Sequence, residues 1–417
     1  MSALGALIGL ILSIILIIKK ISPVYSLTLG ALAGGLLGGA ALTETIANMI
    51  GGVKDITPAV IRILTAGVLS GVLIKTRAAD SISHVIVKRL GEKNVFLALA
   101  LSTMLLTGIG VFIDVAVITV APIALIIGQR LSINKLKLLL AMIGGGKCGN
   151  IISPNPNTII AAENMGAPLP SVMFVNIVPA IVGLLITVFI IVRLLPKENK
   201  ATIGNQLNTL EEERNLPSFA ASIVAPLVAV ILLALRPLFG IEIDPLIALP
   251  AGGIVGILAM RKTKDLVKSL QYGLEKMSVV AVLLIGTGTI AGVIKASTMK
   301  DVILSFLEKN GIGDVFIAPI SGALMSAATA STTAGATVAS ASFSEIIVAA
   351  GISAVWGAAM INSGATILDH LPHGSFFHAT GGSVEMDFKD RMKLIPYETA
   401  VGFILALGTV VAYYVVR

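Results

Sequence analysis

The sequence predicts an all-α polytopic membrane protein built from two repeats of inverted topology, each with a re-entrant hairpin and a broken transmembrane helix. Three observations carry this reading. Apolar residues make up 56% and charged residues 13%, with a mean hydropathy of +0.97, whereas soluble domains carry about 25% charged residues. The stretch Gly144 to Gly166, GGGKCGNIISPNPNTIIAAENMG, lies in an apolar region long enough to cross a bilayer, yet it holds prolines, asparagines, a lysine and a run of glycines. Finally, the second half echoes the first: AGG at 33–35 recurs at 251–253, and SGVLIK at 70–75 recurs as AGVIK at 291–295.

With a span taken as roughly 20 residues, crossings fall near 4–18, 24–41 and 57–75, followed by a basic amphipathic stretch over 75–93. Leu4 to Ile18 reads as a first spanning helix, because no small-residue cleavage site follows Lys19 and Lys20. The segment 95–128 is apolar at both ends and interrupted by TGIGVFIDV around Asp114. Basic residues flank both ends, so it begins and ends on one side as a hairpin; a re-entrant tip and two tightly joined full crossings both fit. A broken helix over about 138–165 follows. Its backbone groups freed by Pro154 and Pro156 are tolerable in hydrocarbon only against protein, ions or a wet cavity; a surface loop between two shorter helices is the alternative. A crossing near 173–193 completes the N-terminal repeat, 1–195. Residues 196–217, PKENKATIGNQLNTLEEERNLP, read as a solvated linker. In the C-terminal repeat, 218–417, the hairpin falls at about 315–349 with the middle ATASTTAGATVAS. The broken helix falls at about 351–380 and contains DHLPHG.

Lysines and arginines set the orientation. With the N-terminus outside and ten crossings, 22 of the 30 basic residues fall on the cytoplasmic side, including Lys19, Lys20, the 75–93 and 130–137 groups, the linker, Arg261 to Lys276, and Lys389 to Lys393. Both termini then face outward. The two hairpins open to opposite sides, and inverted repeats with broken helices at their interface are an architecture of alternating access.

Hairpin middles and broken helices place polar clusters at similar depth. Asn150, Ser153, Asn155, Asn157 and Thr158 of the first half, with Ser331, Thr332, Thr333 and Asn362 of the second, offer donors and acceptors to a carboxylate or hydroxyl solute without a permanent desolvation cost. Helix packing also selects small residues in membranes. The run 331–335 has no large side chain, so a ligand could approach its backbone closely. Asp114, Lys147, Asp369, His370 and His373 are the ionisable residues expected at membrane depth, where such groups are functional candidates. Lys147 either attracts a substrate carboxylate or pairs with Asp114. Asp369 beside His370 or His373 could form a proton-carrying pair; a histidine held by a backbone carbonyl is the alternative.

Other classes fit poorly. The lone Cys148 gives neither a disulfide framework nor metal spacing, and no cofactor motif stands out. The net charge of +7 is explained by positive cytoplasmic loops, so nucleic acid is not implied. The GGGKC run lacks the strand and Ser/Thr of a phosphate-binding loop. An intramembrane hydrolase using Asp369 and His370 would lack a nucleophile motif such as G-x-S-x-G.

GGGKCGNIISPNPNTIIAAE, the ATASTTAGATVAS tip and DHLPHG resemble the gluconate permease family of proton symporters, in its branch related to hydroxybutyrate and other hydroxy-acid permeases. The resemblance runs over nearly the whole chain. It departs from the gluconate-type pattern at SPNPN, at Asp114 where a glutamate is usual, and at Lys147. The resemblance implies an elevator-type ion transporter superfamily fold, a homodimer in the inner membrane, and uptake of a sugar acid or hydroxy-monocarboxylate driven by protons. On the same fold, sodium coupling or antiport would be the alternative.

Overall fold

The computed structural model describes residues 1–195, 216–241, 243–302, 305, 314–372 and 374–416, and among these the chain is helical with no strand. Five helices are long and apolar enough to cross a membrane by length and composition: Leu42–Lys75, Ile113–Arg130, Leu169–Leu194, Thr263–Lys295 and Phe388–Val416. Shorter apolar helices include α1 (Ala3–Ile18) and α2 (Pro23–Leu37).

The helix Leu42–Lys75 (α3) differs from the crossing expected at 57–75. It has 34 residues, about 51 Å at 1.5 Å per residue, so it outruns a hydrocarbon core of about 30 Å. Glu44, Lys54 and Asp55 interrupt the apolar run in its first half without interrupting the helix. A basic helix, α4 (Ala78–Leu90), follows it.

The first hairpin pairs α5 (Val95–Gly108) with α6 (Ile113–Arg130) through a four-residue turn in which Gly110 has φ +102°. The broken helix comes next as α7 (Lys135–Asn150) and α8 (Pro156–Met165). Its second piece starts cleanly because the Asn155 side chain accepts from the Thr158 N–H at 3.2 Å, and Pro156 takes the first helical position where no donor is needed. Leu169–Leu194 (α9) completes this half.

The same order returns after α10 (Val224–Phe239), α11 (Pro245–Ala259) and α12 (Leu266–Lys295). α13 (Ile317–Thr329) and α14 (Thr332–Ala349) form a hairpin whose tip holds Ala330 in the left-handed region at φ +45°. α15 (Ala354–Gly364) and α16 (Ser375–Ser383) flank a second break, and α17 (Ile395–Val416) ends the chain.

Small residues bring these helices together. A Cβ on Gly273 of α12 would lie 2.1 Å from the Gly67 carbonyl of α3, and one on Gly292 would lie 2.0 Å from that of Asn48. On α7, a Cβ on Gly145 would sit 2.0 Å from the Ala100 carbonyl of α5. The glycine run of GGGKCG thus serves close helix packing. Gly335 answers to the same cause: its missing side chain leaves room for Ser326 of the other hairpin arm, where a Cβ would come within 2.6 Å. At that residue the close approach comes from protein, where the sequence alone allowed a ligand.

Candidate functional site

A cavity of about 780 Å³ gathers residues from both halves of the chain. Its polar wall carries Asp114, Asn150, Asn157, Ser331, Thr332, Thr333 and Asp369. The middle of α12 adds apolar lining, with Val279, Val280, Val282 and Leu283. A solute held in the cavity meets hydroxyls, amides and hydrocarbon.

Five helices begin at this cavity: α2 at Ser22 to Val24, α6 at Phe112 to Val115, α8 at Asn157, α14 at Ser331 to Ala334, and α16 at Ser375 and Phe376. Two end there, α7 at Asn150 and α13 at Thr329. Each beginning presents backbone N–H groups that the helix itself leaves unpaired, together with a partial positive charge of roughly half a unit. The balance of ends is therefore positive. Lys276, exposed on α12, adds a full positive charge to the same cavity. Sequence reading counted Lys276 among the cytoplasmic loop cations, because it sits near the polar start of a long helix. The four-residue spacing from Tyr272, whose ring centroid lies 5.5 Å from the ammonium, was the available sign that it belongs to a helix face.

Asn155, Thr158, Ser153 and Asn362 do not line the cavity and stand behind Asn150 and Asn157. Asn157 Nδ2 donates to Asn362 Oδ1 at 2.7 Å, and Asn362 Nδ2 donates to Thr158 Oγ1 at 3.0 Å, so an amide bridge ties α8 to α15. Asn155 turns back on Asn150, donating to its carbonyl at 3.1 Å and to its side-chain oxygen. Ser153 is buried, and its hydroxyl has no partner among the described residues. His373 lies outside the described residues.

Lys147 neither faces the cavity nor meets Asp114, the two roles that the sequence offered it. Its ammonium is fully buried and donates to Asp369 Oδ1 at 2.7 Å, to the Thr366 carbonyl at 2.5 Å, to His370 Nδ1 at 3.0 Å and to the Glu398 carbonyl at 3.3 Å. The reason is topological: the second break folds back over the end of α7 and brings a carboxylate 222 positions away into contact. The other oxygen of Asp369 accepts from Thr332 Oγ1 at 2.6 Å, linking this buried pair to the cavity wall. His370 meets both partners that the sequence offered it: Nδ1 stands 3.1 Å from Asp369 Oδ1, and Nε2 stands 3.0 Å from the Ile395 carbonyl and 3.1 Å from Thr399 Oγ1. Asp114, in contrast, is bonded only to the Val115 N–H at 2.9 Å and has no ion-pair partner among the described residues.

Two further ion-paired arginines were not anticipated. Arg391, counted from sequence as a loop cation, is 1% exposed and paired with fully buried Glu398. It also donates to the Phe377 carbonyl at 3.2 Å, in the first turn of α16. Arg62 on α3 joins Asp244 at 2.7 Å and also Glu163 at the end of α8. The hydrogen bond from Arg62 holds the Asp244 carboxyl below the usual carboxylate range. Glu163 lines a second, smaller cavity of about 330 Å³ with Asp55, Lys295 and Glu345, near the far end of α12.

A model of the GntP family permeases matches residues 1–416. A protein of Haemophilus influenzae described as an uncharacterized transporter is 55% identical over 416 residues, which cover 100% of this chain and 99% of that protein. The high-affinity gluconate transporter of Escherichia coli is 26% identical over 243 residues, covering 56% of this chain and 53% of its own. Among solved structures, the YdaH transporter of Alcanivorax borkumensis, reported to have an unusual topology, aligns over 90% of this chain and 88% of its own with a TM-score of 0.61 at 13% identity. That likeness is one of fold.

Proposed function

Since the chain belongs to the GntP permease family and is a multi-pass membrane protein and secondary transporter, we propose that its cargo is a small organic anion, a sugar acid or hydroxy-monocarboxylate such as gluconate, taken up with a proton. The observation that carries this reading is the meeting of five helix N-termini and Lys276 on one cavity. Helix beginnings favour carboxylates, and the hydroxyls and amides of Asn150, Asn157, Ser331, Thr332 and Thr333 suit a hydroxylated carbon chain. The volume falls within the range of about 300–1,000 Å³ common for small-molecule sites.

Charge arithmetic supports proton coupling. Lys147 behind the wall cancels Asp369 on it, and Lys276 and Asp114 cancel across the cavity. Protonating Asp114 leaves one net positive charge, which one carboxylate then neutralises. In this scheme Asp114 carries the proton, and Asp369, already neutralised by Lys147, does not.

Hairpins and broken helices of the two repeats, 1–195 and 218–417, make up a mobile unit that carries the cavity across the inner membrane as an elevator. The cavity here opens to the cytoplasm, since Ser22 and Lys276 lie beside the basic groups assigned to that side. The working form is a homodimer with both termini outside. Recurrence of element order and the family resemblance support these statements.

Uptake into proteoliposomes from a panel of hydroxy acids, with proton and sodium gradients imposed separately, tests the proposal. The expected result is accumulation of a hydroxy-monocarboxylate driven by the pH gradient and weakened by Lys276→Gln. Uptake that follows sodium and ignores pH would replace the proton in this scheme. Transport of cations or uncharged solutes alone would overturn the anion reading.

A further inference from the structure

Lys147 occupies a setting that membrane transporters more often give to a metal cation. Lys147 lies in the last turn of the half-helix α7, and its ammonium rests against the Thr366 carbonyl just beyond the C-terminal end of α15, so a helix end places partial negative charge on it. Around it stand two main-chain carbonyls, one carboxylate oxygen and one imidazole nitrogen, at 2.5 to 3.3 Å. Carbonyls of interrupted helices and half-helix C-termini are the groups that coordinate sodium in transporters built on broken helices. Three oxygens and one nitrogen around a single ammonium are no ordinary salt bridge; they form a cage for a monovalent cation, and the cation is tethered.

Resting on the transporter reading above, we infer that the Lys147 ammonium is a built-in substitute for a bound coupling cation. It permanently fills the cage that links α7 to the second break. The consequence reaches the cavity, because the other oxygen of Asp369 accepts from Thr332 Oγ1 at 2.6 Å. In carriers that use a free ion, the cage empties and the solute site loosens in each cycle. Here the cage cannot empty, so Thr332 stays in place through the cycle and sodium has no place at this point. Removing the tether while keeping Asp369 leaves a cage that a free monovalent cation can enter. Propylammonium is the most telling probe, because it is the fragment that Lys147→Ala deletes.

The test compares thermal unfolding of the purified wild type, Lys147→Ala and the double variant Lys147→Ala with Asp369→Asn. Each is measured in sodium, choline and propylammonium chloride at equal ionic strength, beside wild-type uptake with and without sodium. The wild type should melt at the same temperature in all three salts and transport without sodium. Lys147→Ala should melt lowest in choline and regain several degrees in sodium or propylammonium. The double variant, having lost the carboxylate that calls for a cation, should ignore the salt. A folded Lys147→Ala protein that is indifferent to both cations would overturn the inference, as would one that never folds in sodium while the double variant folds. If neither variant folds, wild-type uptake decides: a sodium requirement overturns the inference and sodium independence upholds it. A wild type that carries no organic anion, together with a salt-responsive Lys147→Ala, would sink the transport reading and leave the tethered cation standing.

Discussion

Asn362 is fully buried and does not line the cavity, yet it holds Asn157, which does. In Asn362→Ala, the bond from Asn157 Nδ2 at 2.7 Å and the bond to Thr158 Oγ1 at 3.0 Å are both lost. Thr158 keeps a partner, since its hydroxyl also meets Asn155 Oδ1 at 3.1 Å. Only the Asn157 amide is stranded. A stranded buried group costs about 1–3 kcal/mol, and because Asn157 can turn toward the cavity and water, the lower end is expected. For the solute, the effect is loss of one oriented neutral hydrogen bond, about 0.5–1.5 kcal/mol or roughly a 2- to 12-fold weaker Kd. Solute affinity should be measured for Asn157→Ala, Asn362→Ala and the pair. If Asn362 acts only through Asn157, the pair binds like Asn157→Ala alone, giving a coupling energy within the range of about 0.5–3 kcal/mol seen for residues in contact. Losses that multiply would refute the positioning role of Asn362 and reduce the amide bridge to packing.

Three further outcomes are expected. Asp114→Asn should abolish uphill accumulation driven by a pH gradient while leaving solute counterflow between compartments of equal pH, read by tracer exchange in proteoliposomes; loss of both together would remove Asp114 from coupling. Arg391→Ala strands the charge of Glu398, which is fully buried, so it should destabilise by about 3–5 kcal/mol; thermal unfolding should show that Arg391→Met with Glu398→Leu recovers most of this. Cysteines at Asn205 and Lys309, in a Cys148→Ser background, should react with an impermeant thiol reagent from opposite sides of the membrane, and labelling from one side would contradict the inverted orientation.

Much of the molecule could be read from local chemistry. Pro154, Pro156 and the surrounding asparagines mark the first break because they cannot continue a helix or sit unpaired in hydrocarbon, and α7 ends at Asn150 while α8 starts at Pro156. Hydroxyls at 331–333 fall on the cavity for a similar reason, as an N-terminal turn supplies their backbone donors. Pairings across long stretches of sequence left no such trace. Nothing near Lys147 announces Asp369, and Arg391 looks like any loop arginine until Glu398 is brought beside it. Hydropathy misjudged α3, since three charged residues lowered its first half below the apolar threshold while the helix ran on. Lys276 was overlooked because charge counting assigns a lysine to a side of the membrane and says nothing of the wall it faces.

The central claim is that the 780 Å³ cavity with its ring of helix beginnings holds the transported anion. A single cysteine at Thr333, on the polar wall, in the Cys148→Ser background tests it most directly, with a second at Ser344, on the smaller cavity, as the control. Labelling by a small thiol reagent is followed with and without the hydroxy acid that the uptake panel identifies. The account predicts that the solute slows labelling at Thr333 and leaves Ser344 unchanged. Equal labelling at Thr333 with and without solute, in protein that still transports it, would contradict the account.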